Sequence, residues 1–331
     1  MSITTKDIAK ICNVSRGTVD RALNDRPGIS EKTRERIRAV AREHNYTPHL
    51  IGAALSKGKT MTIGVLVFDL HNRYFSQVAD SISRAARKRG YSTLIAVSEK
   101  DIPTESQVIQ SFSARSVDGM IIVPITCGET FSRRLRALDM PIITIGNPLA
   151  GFHHVSIDDA LAAYQSAEYI YEKGYRKICF ICPPLRKKGG FDGQFNIASQ
   201  ELRAKGFLDF CREHESVQHE ILLSKAYPEE AAAMVRAGGE KTAFFCSSDV
   251  YAIDLMNYFK KQKIRLPADA GLMGFDNLDI LQFIEPRITT VSTSAEAQGE
   301  LALDTMTRLI DGVGQPVVQY LTHRICEGET L

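Results

Sequence analysis

From Met61 onward, the chain alternates short apolar runs rich in β-branched residues with longer stretches of helical periodicity. Strands separated by helices are typical of parallel sheets, because a parallel connection needs a crossover element. The alternation occurs in two successive series, which predicts an α/β body of two similar lobes built on doubly wound parallel sheets. The strands are predicted at Thr62–Phe68, Ser92–Val97, Gly119–Val123, Pro141–Ile145, Lys177–Cys182, Ile221–Leu223, Ala243–Cys246 and Ala270–Phe275.

Helices are predicted between these strands, and a last strand near the end of the sequence. In sheets of this kind, ligands bind beyond the carboxyl ends of the strands. The cleft between two such lobes is therefore the expected site for a small molecule. The predicted helices include Tyr74–Arg89, Ala160–Glu172, Gln200–His214, Tyr251–Lys263 and Ala295–Ile310, and the last strand is about Val317–Ile325.

The first 60 residues follow a different pattern, that of three short helices. Thr4 and Asp7 predict the start of the first helix, since the pair can cap it, and Asn13 predicts its end. Ser15 predicts the start of the second helix, and the third is predicted over about Glu31–His44. Three short helices with a tight turn between the first two match a helix-turn-helix. The positions predicted to be buried between them are Ile8, Ala9, Val14, Val19, Leu23, Ile37, Val40 and Tyr46.

With that core inward, the second helix presents Arg16, Gly17, Asp20 and Arg21 outward. A helix fits the major groove of DNA, and its N-terminal residues are the ones that reach base edges. Arginine is the usual bidentate partner of guanine, so this face is predicted to read sequence. Short side chains near helix N-termini suit phosphate oxygens, and they are Thr5, Ser15, Thr18 and Ser30.

The charge is unevenly distributed along the chain. Residues 1–60 contain 12 Lys and Arg against six acidic residues, a net charge of +6, whereas the remainder contains 29 against 33, a net charge of −4. A basic head on a mildly acidic body suggests that the head meets a polyanion. A solvated basic face would carry the same charge, so the helix-turn-helix motif decides for DNA.

The seven cysteines are scattered, and an odd count suits reduced thiols better than a disulfide framework. The sequence also lacks an apolar run of ~18 residues and a secretory signal, so a cytoplasmic protein is expected. Cys179 and Cys182 form a CxxC, which is found in redox pairs and zinc sites. Because they lie in an apolar run and no second pair follows, the interpretation as strand core is favoured.

The sequence contains no GxSxG, Walker A, HExxH or dinucleotide fingerprint. His153-His154 is interpreted as a surface pair in a loop, and Asp158-Asp159 as helix caps. The expectation is therefore a protein that is not an enzyme and has no metal and no cofactor.

Several motifs occur in order over residues 4–60, and with them the head resembles the DNA-binding head of the lactose-repressor family. Family members read DNA with the residues that match Arg16, Gly17 and Arg21, which implies double-stranded operator DNA as a partner. Asp20 departs from the family pattern, where a small serine is usual, and either reads a cytosine amine or pairs with a nearby arginine. The motifs are Asp7-Ile8-Ala9, Val14-Ser15, Thr18-Val19, Arg21, Asn24, Ser30, Thr33-Arg34 and Asn45-Tyr46-x-Pro48.

The segment after Pro48 reads by itself as a linker with weak helical character. In the family, the matching segment becomes a helix on DNA and inserts a leucine, matched here by Leu55, into the minor groove; such a wedge kinks the duplex. The predicted organisation is a head over 1–47, a hinge over 48–60 and a body over 61–331, with one lobe over about 61–158 and 292–314 and the other over about 159–291 and 315–331. The predicted DNA contacts are Thr5, Ser15, Arg16, Gly17, Thr18, Asp20, Arg21, Asn24, Ser30 and Leu55.

The resemblance extends through the body, which is similar to periplasmic sugar-binding proteins whose lobes close over a small polar molecule. It is carried by segments such as Ile63-Gly64-Val65 and Gly274-Phe275-Asp276-Asn277. Carboxylates and an arginine at strand ends suit bidentate hydrogen bonding to vicinal hydroxyls. The effector contacts that the resemblance implies are Asn72, Tyr74, Phe75, Arg203, Ser248, Asp249 and Asp276.

Simpler roles stay open for several of these residues. Arg203 and Asp276 would also serve as a salt bridge or a cap, and Phe75 as core. Asp249 would equally cap the helix predicted from Tyr251. The basic run Arg186–Lys188, which departs from the family pattern, fits a phosphorylated or acidic effector and equally fits an exposed segment without function.

Together these features predict a ligand-responsive transcription regulator, most simply a repressor. It would bind a palindromic operator as a homodimer and a sugar or sugar-like effector in the cleft. No leucine-heptad tail follows the last strand, so a dimer is expected rather than a tetramer. The alternatives are a small-molecule-binding protein with a non-functional head and a sugar-modifying enzyme. The sequence leaves open the effector, the operator, the sign of the response and the choice between repression and activation.

Overall fold

The computed structural model describes residues 3–46, 58–182, 196–314 and 317–331. The chain divides into two compact units, Met1–Thr60 and Met61–Leu331. Two features singled out in the sequence, the hinge residue Leu55 and the basic run Arg186–Lys188, lie outside the described residues.

The described part of the first unit contains three helices, α1 (Thr5–Ile11), α2 (Arg16–Leu23) and α3 (Glu31–Glu43). The capping box of Thr4 and Asp7 is present at the start of α1. Ser15 and Ser30 cap α2 and α3, each accepting a hydrogen bond from a backbone N–H three residues on. Capping of this kind fixes where a helix begins. The core lies between the three helices and includes Ile8, Cys12, Val19, Ala22 and Ile37.

The first lobe of the body is built on six parallel strands, and burial of the central ones explains their largely apolar sequences. They are β1 (Thr62–Val67), β2 (Ser92–Val97), β3 (Gly119–Ile122), β4 (Ile142–Ile145), β5 (His153–Ile157) and β11 (Val318–Leu321). Their order across the sheet is β11–β5–β4–β3–β1–β2. One face packs against α4 (Arg73–Lys88) and α11 (Ala295–Ile310), and the other against α5 (Ile102–Ala114) and α6 (Glu129–Arg136).

The second lobe repeats this plan with a smaller parallel sheet. Its strands are β6 (Lys177–Ile181), β7 (Gln218–Leu222), β8 (Thr242–Cys246) and β9 (Gly271–Met273), in the order β7–β6–β8–β9. Two short strands, β10 (Thr290–Ser292) and β12 (Arg324–Cys326), pair antiparallel beside it. The helices are α7 (Asp159–Glu172) and α8 (Ala198–Glu213) on one face, and α9 (Tyr227–Arg236) and α10 (Asp249–Lys261) on the other.

The predicted fold class, a helical head and a two-lobed α/β body with parallel sheets, is confirmed. The interpretation of the CxxC as strand core is confirmed too. Cys179 and Cys182 are buried and pack in different clusters on opposite faces of the sheet.

Two expectations about the strands are wrong. His153 and His154 are not a surface loop: both are buried in β5, where the Nδ1 of His154 lies 2.9 Å from the Oγ1 of Thr144. The last predicted strand, Val317–Ile325, is in fact β11 and β12, and β11 extends the sheet of the first lobe. Residues 318–321 therefore belong to that lobe and not to the second, because the chain crosses between the lobes after Leu321.

The chain also crosses between the lobes after β5 and after β10. At the first crossing, α7 starts directly after β5 and packs on α8. Gly206 makes this packing close: a Cβ there would lie 1.9 Å from the carbonyl oxygen of Ala160. A side chain at position 206 would push the two helices apart.

This contact gives a test in which the usual effect of a substitution is reversed. Gly206→Ala in an exposed helix would stabilise it by about 1 kcal/mol. Here we expect the body to lose about 1–3 kcal/mol, because overpacking displaces α8. Urea unfolding of the full chain measures this as a lower midpoint, with the exposed neighbour variant Lys205→Ala keeping the midpoint of the wild type. A midpoint that is unchanged or higher for Gly206→Ala would contradict the packing described.

Candidate functional site

The outer face of α2 carries the residues predicted to contact DNA. Arg16, Gly17 and Arg21 are exposed along it. Ser15 and Thr18 lie at its first turn, where their hydroxyl oxygens are 2.9 Å apart. The helix therefore presents two arginine side chains, separated by little more than one turn, next to a hydroxyl-bearing N-terminus.

Asp20 is occupied within the head. Its carboxylate forms an ion pair of 3.1 Å with Arg26 and accepts a hydrogen bond of 2.9 Å from the Nδ2 of Asn24. Of the two roles left open by the sequence, pairing with a nearby arginine is the one observed. The amide of Asn24, predicted as a DNA contact, also donates to the carbonyl oxygen of Asp20 and so closes the end of α2.

Residues outside the predicted set hold α2 in place. Arg34 of α3 is 11% exposed and donates to the carbonyl oxygens of Arg21 and Arg26, at 3.3 and 3.2 Å. Arg36 donates to the carbonyl oxygen of Cys12 at 2.8 Å. These two arginines satisfy backbone carbonyl groups at the end of α1, at the end of α2 and in the segment that follows α2. Part of the positive charge of the head therefore stabilises its fold.

A cavity of about 850 Å³ lies between the two lobes of the body. Its walls include residues that follow β1, β3, β4, β8 and β9, so it opens at the carboxyl ends of both sheets, as the sequence predicts for a doubly wound fold. Predicted effector residues that line it are Asn72, Tyr74, Phe75, Arg203, Ser248 and Asp276.

Arg203 of α8 forms the polar floor of this cavity. Its Nε donates to the Oδ1 of Asp159 at 2.7 Å, and its Nη1 donates to the carbonyl oxygen of Ser247 at 2.6 Å and to the Oδ1 of Asp276 at 3.3 Å. The guanidinium carbon lies 3.8 Å from the centre of the Phe275 ring. The second oxygen of Asp276 accepts from the hydroxyl of Ser248 at 2.8 Å.

Burial dominates the electrostatics of this cluster. It raises the pKa of Asp276 to about 6, although Arg203 and Ser248 favour the charged form. Burial also raises the pKa of Asp159, against the pull of Arg203. Burial alone would lower the pKa of Arg203, but the two carboxylates outweigh it and raise that pKa. Two buried carboxyl groups therefore share one guanidinium.

The first lobe contributes an aromatic wall. Asn72 caps α4, since its Oδ1 accepts from the N–H of Tyr74 at 3.0 Å. The hydroxyl of Tyr74 donates to the Oε1 of Gln298 at 2.9 Å. Phe75 packs against Phe68 with the ring centres 4.7 Å apart. The start of α4 therefore aims two rings at the cavity.

Asp249 is the predicted effector residue that the structure removes from the site. Its carboxylate is buried and accepts from the hydroxyl of Thr290 at 2.6 Å and from the N–H of Leu278 at 2.8 Å. It is absent from the cavity wall. Nor does it cap α10, because that cap is Ser248. Asp249 holds the segment after β9 against β10, and this structural role replaces both earlier interpretations.

Sequence reasoning missed other residues of the site. Asp158 is the cap of α7, as interpreted, but Asp159 turns inward to Arg203. Asn147, after β4, links the lobes by donating to the carbonyl oxygen of Asn196 at 2.9 Å and accepting from the hydroxyl of Ser199 at 2.9 Å. The neighbouring carboxylates at 158 and 159 were a signal that one of them faces inward; no local signal marks Asn147.

Among the described residues, no group of three or more metal-ligating side chains comes together. A helix both long and apolar enough to cross a membrane is also lacking within the described ranges.

Two family models match the chain. One, described as bacterial regulatory proteins, lacI family, covers residues 4–49. The other, described as a periplasmic binding protein-like domain, covers residues 167–331.

The chain is similar to transcriptional regulators over most of its length. It is 30% identical to the HTH-type transcriptional repressor CytR of Escherichia coli (strain K12) over 325 residues, which cover 93% of this chain and 89% of that protein. It is 26% identical to the ribose operon repressor of Haemophilus influenzae, covering 93% and 92% of the two chains.

Solved structures share the fold. The lac repressor dimer bound to operator and the anti-inducer ONPF matches with a TM-score of 0.86 at 20% identity, over 100% of this chain and 99% of that one. A periplasmic binding protein/LacI transcriptional regulator from Alkaliphilus metalliredigens, complexed with D-xylulofuranose, matches with a TM-score of 0.70 at 24% identity, over 82% and 98%.

The raised pKa of Asp276 predicts a pH dependence of stability. Between the unfolded value near 3.9 and about 6, the folded chain binds this proton more tightly than the unfolded chain, so Asp276 stabilises the fold progressively as the pH falls. From pH 7 to pH 5, we expect the wild type to gain roughly 1 kcal/mol relative to Asp276→Asn, which does not titrate.

Urea unfolding at both pH values measures the free energy of unfolding of the body. Asn is suited to the positive φ of 109° at this position, so the variant keeps the backbone. Asp279→Asn is the control: Arg73 lowers the pKa of Asp279, so its difference from the wild type should stay constant over this range. An equal pH response of the wild type and Asp276→Asn would show that Asp276 does not titrate there.

Proposed function

We propose that this chain, which belongs to the lacI family of bacterial regulatory proteins, is a ligand-responsive transcription repressor. One observation carries the proposal: the same chain contains an exposed arginine-bearing helix in a helix-turn-helix and a cavity between two lobes with a polar floor and aromatic walls. The first suits a DNA groove and the second a small molecule. The relatives named above are regulators, and we propose that this chain likewise acts on DNA, in the cytoplasm, without catalysis.

Arg16 and Arg21 are proposed to read bases in the major groove, because they are the exposed long donors on the outer face of α2. Gly17 contributes no side chain and allows close approach to the duplex. Ser15, Thr18, Thr5 and Ser30 are proposed to contact phosphates. The pairing of Asp20 with Arg26 reduces the repulsion that a free carboxylate would have for DNA. Leu55, in the proposed hinge over 48–60, is proposed to enter the minor groove.

A sugar or sugar-like effector is proposed for the cavity. Asp276 and Arg203 would bind hydroxyl groups, and Ser248 would align Asp276. Asn72, Tyr74 and Phe75 would form the opposite wall, with Phe75 stacking on the ring of the ligand. The relative complexed with D-xylulofuranose supports a ligand of this class.

A homodimer on a palindromic operator is proposed, because a two-fold protein axis matches two half-sites. The lac repressor structure named above is a dimer on its operator. Effector binding would change the closure of the lobes, and that change would order or disorder the proposed hinge. The head over 1–47 and the body over 61–331 would be the output and the sensor.

The test compares this proposal with the alternative of a small-molecule-binding protein whose head is non-functional. The purified full chain selects duplexes from a random library, and the affinities of variants for the selected and a scrambled sequence are then measured at one salt concentration. We expect Arg16→Ala and Arg21→Ala each to lose about tenfold or more in discrimination, since a good bidentate pair contributes about 1–3 kcal/mol.

Arg42→Ala is the matched control, because it removes the same charge from an exposed position of the head on α3. It should weaken binding to both duplexes equally, as expected for a purely electrostatic contribution. If the chain selects no sequence, or if the double variant Arg16→Ala/Arg21→Ala binds as the wild type does, the alternative holds.

A further inference from the structure

The described lining of the proposed effector cavity contains more carboxylates than cations. An anionic ligand and a cationic ligand should therefore bind to this site with different affinities. Four acidic residues, Asp69, Asp101, Asp159 and Asp276, accompany one lysine, Lys100, one arginine, Arg203, and one histidine, His71.

Both cations are already engaged with carboxylates. Arg203 is bonded to Asp159 through its Nε and to Asp276 through its Nη1, and one face of its guanidinium lies on the Phe275 ring. Its Nη2, which has no partner among the described residues, can still donate to a ligand hydroxyl. The Nζ of Lys100 lies 3.9 Å from the Oδ2 of Asp69. A phosphate or carboxylate at the floor would meet like charges in a setting of low dielectric, where such repulsion is strong.

The floor also needs hydrogen-bond donors. The Oδ2 of Asp159 accepts no hydrogen bond from any described residue, although a carboxylate oxygen has room for about two. The hydroxyl of Ser247, which also lines the cavity, is buried and has no partner among the described residues. An ammonium group supplies three donors and a positive charge, and it satisfies such acceptors better than a neutral hydroxyl.

The aromatic wall of the cavity is also compatible with an ammonium group. Phe75 and Tyr251 line the cavity from opposite lobes. The faces of aromatic rings attract cations, whereas they offer nothing to an anion. The charged floor and the aromatic wall thus favour the same kind of ligand.

We propose that the effector is a polyhydroxylated molecule that carries a protonated amino group, such as an amino sugar, and that its phosphorylated or carboxylated counterparts are rejected. This inference rests on the proposed function of the cavity. It predicts an order of affinity for one carbon skeleton: the amine binds more tightly than the neutral parent, and the phosphate does not bind.

The test uses two trios of probes on the full chain: D-glucose, D-glucosamine and D-glucose 6-phosphate, and the corresponding D-galactose compounds. Thermal shift identifies the skeleton that binds, and calorimetry then gives its affinities. We expect the amino sugar to bind about tenfold more tightly than its parent, because a charge-assisted hydrogen bond exceeds a neutral one by about 1–2 kcal/mol. The phosphate should not raise the melting temperature.

Asp159→Asn, which keeps the size of the side chain and removes its charge, should abolish the preference for the amine while the neutral parent still binds. Asp158→Asn is the matched control: this neighbour caps α7 outside the cavity lining, and asparagine is an equally good cap. It should keep the preference of the wild type. If Asp159→Asn does not fold, Asp276→Asn removes charge from the same floor. Because Asp276 is also proposed to bind hydroxyl groups, this variant should weaken the binding of both ligands, and the amine should lose more affinity than its parent.

Equal binding of the amine and its parent would overturn the proposal. Tighter binding of the phosphate than of its parent would also overturn it, and this is the result expected if Arg186–Lys188 contributed to the site. Failure of both amino sugars to raise the melting temperature would overturn it as well. Binding of the wild type to its selected duplex, measured in parallel, distinguishes a failure of the proposed ligand class from a failure of the proposed regulatory function. If DNA binding is retained and the preference for the amine is missing, the ligand class is wrong and the regulatory function stands.

Discussion

The guanidinium of Arg203 joins the parts of the second lobe on which the cavity depends. It projects from α8 to Asp159, the first residue of α7 after the crossing from β5, and to Asp276, which follows β9 beside the crossing at β10. An unpaired charge at this depth would be strongly destabilising, so the pairing fixes all three segments. Gly206, one turn further along α8, lets the helix come close enough for the contact.

This arrangement ties the ligand site to the places where the chain passes between the lobes. Thr293, in the crossing that follows β10, accepts a hydrogen bond of 2.6 Å from the Nε2 of Gln298. Gln298 in turn accepts from the hydroxyl of Tyr74 on the opposite wall. A ligand that forms a hydrogen bond with Asp276 and stacks on Phe75 would therefore contact both lobes, next to the segments that connect them. The proposed change of lobe closure would act through these contacts, and two-state coupling requires that the ligand bind the two closure states with different affinities.

Much of the fold and part of the candidate site could be predicted from the sequence, for physical reasons. Strands buried on both faces are continuous apolar runs, so their positions are encoded locally. β5 was missed because two histidines at its start resemble a surface segment, and its burial depends on neighbours distant in the sequence. Asp159 and Asp249 were misjudged because a carboxylate at a helix start has the same sequence pattern whether it caps, pairs or binds a ligand. The partner of Tyr74 lies more than 200 residues away, and no local pattern indicates it.

The central claim is that DNA and the effector bind to one coupled system, and thermodynamic linkage tests it most directly. The measurement is the affinity of the full chain for its selected duplex, with and without a saturating concentration of whichever probe raises its melting temperature, followed by the affinity for that probe with and without the duplex. The account predicts that the probe changes DNA affinity by about 5- to 150-fold, and that the duplex changes probe affinity by the same factor. A DNA affinity that is the same in both conditions would contradict it.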